Sequence, residues 1–173
     1  LEKQQRRKKY QKKNQSFKPQ TQTDNKKQFL ENDLLRLCFS KDLAIRKYLF
    51  DNVNPDWLVT AFTKTIFEKV YIHLHSENAP EVGLIMNELN ESIYRDALAK
   101  LVFDLEKLIP TLKSAQNCVL RLEQSWINVH IQSLREELKN AESAGKDLIP
   151  IMKKIEELQD QKKNLTNKQT ADE

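Results

Sequence analysis

Apolar positions recur every three to four residues along most of the chain, the spacing of one helix face and not the alternation of a strand. Phe29, Leu30, Leu34, Leu37 and Cys38 predict an amphipathic helix over about 27–39. Ser40 stands where an N-cap is expected for a second helix carrying Leu43, Ala44, Tyr48 and Leu49. Asn54-Pro55-Asp56 combines a capping residue, a proline at the first helical position and an acid in the first turn. It predicts a third helix with Leu58, Phe62, Ile66, Val70, Tyr71 and Leu74 on one face. Residues 76–83, with Pro80, read as a loop, followed by a short helix with Leu84, Ile85 and Leu89. Asn90 or Ser92 then caps a helix bearing Ile93, Ala97, Leu98, Leu101, Val102 and Leu105, which Ile109-Pro110 ends.

From Thr111 to Ala144 nothing breaks the pattern. A helix of that length spans roughly 50 Å, too long for a compact bundle, so part of it should project. Its apolar face changes along the way. Leu112, Ala115, Val119, Leu122, Trp126 and Val129 share one side, and Ile127, Ile131, Leu134, Leu138 and Ala141 share another. The two sides are about 110° apart, more than the roughly 60° that heptad drift supplies over this length. The helix is therefore expected to change packing partners near Trp126.

Gly145 reads as a helix stop and Asp147 as a new N-cap. Leu148, Ile151, Ile155, Leu158 and Leu165 then share a face. These signals predict an antiparallel helical hairpin over 127–165, with Leu134, Leu138, Leu148, Ile151 and Ile155 as its core and 166–173 as a frayed tail. Truncating Ile155 to Ala is then expected to cost roughly 2 kcal/mol or more and to abolish partner binding indirectly. Ile149 and Met152 fall off the apolar stripe. They are either scattered surface residues or, with Lys153 and Glu156 beside them, a patch for a partner in which Met adapts to a groove. The fold class is thus all-α: a small bundle over 29–126 joined by a long helix to a terminal hairpin.

Composition agrees. The chain has 2 Gly in 173 residues, where about 12 would be usual, and they lie too far apart to form a phosphate-cradling loop. Charge is uneven. Residues 1–28 hold ten basic and two acidic residues, a net +8; the total of +4 leaves −4 for the other 145. With Leu1, Tyr10 and Phe17 as its apolar side chains, this stretch is expected to be a flexible basic linker. It would act either as a tether or as a weak nucleic-acid contact through backbone phosphates. No apolar run is long enough to span a membrane, and no secretory signal opens the sequence. A chain that begins with Leu is expected to be a piece of a longer one. Cys38 and Cys118, without a CxxC, read as reduced core thiols of a cytoplasmic protein.

Chemistry is sparse. His73 and His75 sit two apart on an expected helix and so point about 200° from each other, which cannot chelate one ion. His130 stands alone; Ser125 and Ser133 lack a nucleophile turn. Glu136-Glu137 and Glu156-Glu157 are helix-face carboxylates among Lys and Arg. Trp57 and Trp126 read as core anchors or, alternatively, interface residues. No catalytic, metal or cofactor site can be assembled, and no small-molecule ligand is expected.

The segments Phe29-Leu-Glu-Asn-Asp-Leu-Leu-Arg-Leu-Cys-Phe-Ser-Lys-Asp-Leu-Ala and Ile131-Gln-Ser-Leu-Arg-Glu-Glu-Leu-Lys-Asn-Ala-Glu-Ser-Ala-Gly-Lys-Asp-Leu-Ile-Pro-Ile-Met-Lys-Lys-Ile-Glu-Glu-Leu, behind a basic lead-in, carry a resemblance. Over about 28–165 the chain resembles the C-terminal helicase-binding domain of bacterial DNA primase (DnaG type). The resemblance implies a primosome module that tethers primase to the hexameric replicative helicase (DnaB type) during DNA replication priming. The hairpin would be the main docking element, and primer synthesis would reside upstream. The bundle also resembles the N-terminal domain of the helicase itself. A nucleic-acid-binding module, or a self-associating helical protein with a mass near twice 20.4 kDa, are the other classes the residues allow.

Overall fold

The computed structural model describes residues 22–103 and 109–171, with backbone alone for 22–26 and 168–171. Every regular element among them is helical. We label these α1 (Gln22–Cys38), α2 (Leu43–Asn52), a 3-10 turn (Pro55–Trp57), α3 (Ala61–Tyr71), α4 (Val82–Glu88), α5 (Ser92–Phe103), α6 (Leu112–Ser143) and α7 (Ile149–Ala171). Helices α1 to α5 and the first half of α6 form the bundle, with α1 and α2 packed on α6, and α3 packed on α1. The core runs through Leu34, Leu35, Ile45, Leu49, Ile66 and Phe67, all fully buried. On the α6 side it is closed by Ala115, Val119 and Leu122.

Several boundaries differ from the sequence expectation, each for a local reason. Helix α1 begins at Gln22, inside the stretch expected to be a linker; residues 1–21 lie outside the described residues. Its added turns are polar, as extending an existing helix costs little compared with nucleating one. Helix α2 is capped by Asp42, whose carboxylate accepts the Ala44 N–H at 2.8 Å. Ser40 is not the cap: its hydroxyl accepts the Asp42 N–H and its carbonyl accepts Arg46.

The Asn54-Pro55-Asp56 signal does start a helix, but the turn lasts only to Trp57. Buried Glu31 of α1 stops it. Its carboxylate accepts the Val59 N–H at 2.6 Å, the Thr60 N–H at 3.2 Å and the Thr60 hydroxyl at 2.5 Å. These are the donors a continuing helix would need, and charge-assisted bonds to a carboxylate outcompete neutral ones. Thr60 then caps α3 through the Thr63 N–H. Leu58 and Leu74 fall outside α3, in the turns at its two ends, yet both remain buried. The expected loop of 76–83 is shortened, because α4 opens at Val82 and takes in Gly83.

Arg46 is fully buried. One terminal nitrogen donates to the Ser40 carbonyl at 2.7 Å, and the other to Ser76 and Glu77 at 2.7 and 2.9 Å. It thereby fastens the entry to α2 onto the turn that follows α3. Burial pulls its pKa below the usual guanidinium value, with Asp42 opposing the shift.

Cys38 and Cys118 are free and buried. Burial pushes the Cys38 thiol pKa well above its ordinary value, with the neighbouring Cys118 thiol adding to the rise. Burial, and then Asp33, push Cys118 up to about 12, against a smaller lowering by Arg121. Both states hold these protons below the ordinary value of 9.0. Above it the unfolded chain ionises first. Each thiol should therefore lower stability by about 1.4 kcal/mol per pH unit as pH rises from about 9 toward the folded pKa. Denaturant melts at pH 8, 9 and 10 check this. In Cys38→Ala/Cys118→Ala the alkaline slope should flatten even though overall stability drops.

Candidate partner-docking face

Helix α6 is a shared wall. Residues Ala115, Cys118, Val119 and Leu122 bury one side of it in the bundle, while Ile127, Ile131 and Ala141 bury another against α7. The exchange of partners falls at Trp126 and Ile127, as expected. Trp126 itself is half-buried and stacks its ring near His130 at 4.0 Å, with His130 Nδ1 3.2 Å from the Trp126 carbonyl. Trp57 packs half-buried against the bundle core. The start of α6 is held by a reciprocal pair: Thr111 accepts the Ser114 N–H and Ser114 accepts the Thr111 N–H.

At the other end of α6 the Lys146 N–H reaches the Ala141 carbonyl at 2.9 Å and the Gly145 N–H reaches Glu142 at 3.1 Å. That double closure needs a left-handed residue, and Gly145 supplies it with φ 63°. Asp147 then accepts the Ile149 N–H at 3.0 Å and opens α7, with Pro150 where no N–H is required. The chain reverses within five residues, so the hairpin is fixed by local bonds.

The hairpin is longer at its base than expected. Gln161 donates to Glu123 at 2.8 Å, so α7 lies beside α6 well into the bundle half. The expected frayed tail is also corrected in part, since α7 continues as helix to Ala171. Leu134, Leu138, Leu148, Ile151 and Ile155 line the seam as expected, but each is half-buried. Two helices can cover only one face of each other. The cost of Ile155→Ala therefore falls to about 1 kcal/mol, below a full core truncation. A chemical melt of that variant against the parent measures it.

Some residues expected to face the core point outward: Phe29, Leu84, Ile93, Leu112 and Val129 are all exposed. Leu105 lies outside the described residues.

Ile149, Met152, Lys153 and Glu156 all lie exposed on α7, with Ile149 at 72% and Met152 at 56% exposure. At 100° per residue they share one side of α7, turned about 140° from the seam. The structure thus brings the four together near the hairpin turn, facing solvent.

Little else invites chemistry. A groove of about 720 Å³ lies between α1 and the start of α6, with Leu30, Leu37, Phe39 and Cys118 on its wall. Burial raises the pKa of its Cys118 thiol to about 12, Asp33 pairs with Arg36 at 2.7 Å, and Asp42 on the same wall accepts the Ala44 N–H. Among the described residues no group of three or more His, Cys, Asp or Glu could hold a metal ion. His73 and His75 do not lie on a helix as expected but in the turn at 72–75 that follows α3, with the His75 ring 5.1 Å from that of Phe50. Ser133 and the paired glutamates 136–137 and 156–157 are exposed on helix surfaces. No described helix is long and apolar enough to cross a membrane.

Sequence reasoning missed Glu31 and Arg46, which are buried charged residues among those described. The pattern did carry a signal: Glu31 falls at three-, four- and seven-residue steps from Leu34, Leu35 and Cys38, and Arg46 three from Leu43 and Leu49 and four from Phe50, so both charges stand on core faces. Compared with protein-family models, curated proteins and solved structures, the chain matches none.

Proposed function

We propose that this chain is a non-catalytic, cytoplasmic interaction module that tethers a bacterial primase to the hexameric replicative helicase, with the α6–α7 hairpin as its docking element. The observation that carries the reading is the exposed Ile149 and Met152 pair near the hairpin turn, on the side of α7 away from the seam. The sequence resemblance over 29–44 and 131–158 supports the choice of partner. A projecting hairpin suits a tether: its turn can enter a neighbouring subunit without disturbing the bundle. Apolar side chains ringed by Lys153 and Glu156 have the make-up of a small interface centre with a charged rim.

The test is co-elution of the full chain with the replicative helicase of the same organism on a sizing column with mass detection. A complex that forms with the parent and is lost with Met152→Glu is the expected result. Failure of the parent to co-elute rejects the reading. A stable species near twice 20.4 kDa without helicase would favour self-association instead.

A further inference from the structure

On α7 the stripe that begins with exposed Ile149 and Met152 continues at three- and four-residue steps through exposed Glu156 and half-buried Gln159 to exposed Lys163. On α6 a parallel stripe runs Asn128, Gln132, Arg135 and Lys139, also exposed. Between the two, toward the base of the hairpin, lies a groove of about 580 Å³. Arg135 lines it from α6 and Lys162 and Lys163 from α7, with the amides of Asn128, Gln132 and Gln159 between them. No described carboxylate lines it. Lys163 does pair with Asp160 at 3.0 Å, but both are mostly exposed, and a pair of this kind holds a lysine only weakly in water.

We infer that this groove is the electrostatic half of the docking face and takes a strip of carboxylates on the partner protein. The inference rests on the docking reading above and adds the chemistry of the partner surface. That surface should carry an apolar socket for Ile149 and Met152 and, about 16 Å along it, a cluster of Asp and Glu; eleven helical residues separate Met152 from Lys163. Three features favour an acidic protein strip over a nucleic-acid strand. The groove shares a stripe with the apolar pair, as the rim of one protein interface does with its centre. It presents no aromatic ring, so bases would have nothing to stack on. Glu156 stands between the patch and the groove, where a continuous phosphate backbone would meet a like charge. Complementary charge of this kind acts mainly on the rate of encounter.

The experiment follows association of the full chain with the replicative helicase at several salt concentrations, and in parallel with a fluorescent single-stranded oligonucleotide. Three chains are compared: the parent, Arg135→Glu/Lys162→Glu/Lys163→Glu, and Met152→Glu. The neutral Arg135→Gln/Lys162→Gln/Lys163→Gln version and a melt of each chain keep loss of fold distinguishable. The expected result is association about tenfold slower at low salt for the charge-reversed chain, an intermediate value for the neutral one, and a flattened salt dependence for both. Helicase association unchanged by charge reversal, while Met152→Glu abolishes it, would overturn this inference and leave the docking reading intact. Loss of oligonucleotide binding with helicase binding retained would assign the groove to nucleic acid and overturn it as well. A parent that does not bind the helicase at all overturns the docking reading, and this inference with it.

Discussion

Met152→Glu is expected to weaken helicase binding by at least about 2 kcal/mol, close to thirtyfold, while leaving the fold unchanged. The side chain is 56% exposed and faces away from the seam, so replacing it removes no core contact. It stands in the first turns of α7, where a negative charge is favourably placed against the helix dipole. Its melting behaviour should stay within about 0.5 kcal/mol of the parent. In a complex, the same charge would have to be buried where a flexible thioether had adapted to a groove, and an unpaired buried carboxylate is costly. Lys153→Ala, at the rim, should change binding by less than about 1 kcal/mol. Isothermal titration of the three chains against the helicase measures all of this. Equal affinity of Met152→Glu and the parent would sink the assignment of this patch.

Arg46→Ala is expected to destabilise the bundle strongly, by about 3 kcal/mol. The figure does not rest on the guanidinium being a favourable thing to bury. It rests on what is left behind. Without Arg46 the Ser40 carbonyl loses its donor inside the protein, those of Ser76 and Glu77 lose theirs at its edge, and a large, fully buried side chain leaves a void. Arg46→Met should cost less, since it keeps most of the volume and loses only the hydrogen bonds. Urea denaturation of both variants separates the two contributions. Because Arg46 ties the α1–α2 link to the turn after α3, the variant should still dock if it still folds. Binding lost in step with stability, and recovered at lower temperature, would mark the effect as structural.

Much of this architecture was open to a reading of the residues. Pro110, Gly145 and Asp147 act on their own neighbours: a missing N–H, a left-handed backbone, a side chain capping an N–H two residues on. Such effects need no partner, so the start and stop of α6 and the hairpin turn fall where they were expected. The change of face at Trp126 was legible for a related reason. Apolar side chains at fixed angles on one helix must be covered, whatever covers them. The solvent-facing position of Ile149 and Met152 follows from the same angles.

What the residues could not decide was competition between distant groups. Asn54-Pro55-Asp56 is a sound local start signal, yet the carboxylate of Glu31, brought in by α1, takes the Val59 and Thr60 N–H groups and ends the turn after Trp57. Ser40 is as good a cap as Asp42 by composition, but its hydroxyl takes the Asp42 N–H while Arg46 holds its carbonyl, and the Ala44 N–H goes to Asp42. Phe29 and Ile93 have core spacing, yet no described residue covers them. The basic groove at the base of the hairpin needs α6 and α7 to lie side by side before Arg135, Lys162 and Lys163 share a surface. The sequence by itself determined where α6 starts and stops, where its apolar face changes side and that the last two helices form a hairpin, because these depend on bonds and angles within a few residues. Only the tertiary structure decided which polar groups are buried, which apolar residues at core spacing stay exposed and which charges converge, because each depends on what the fold places opposite.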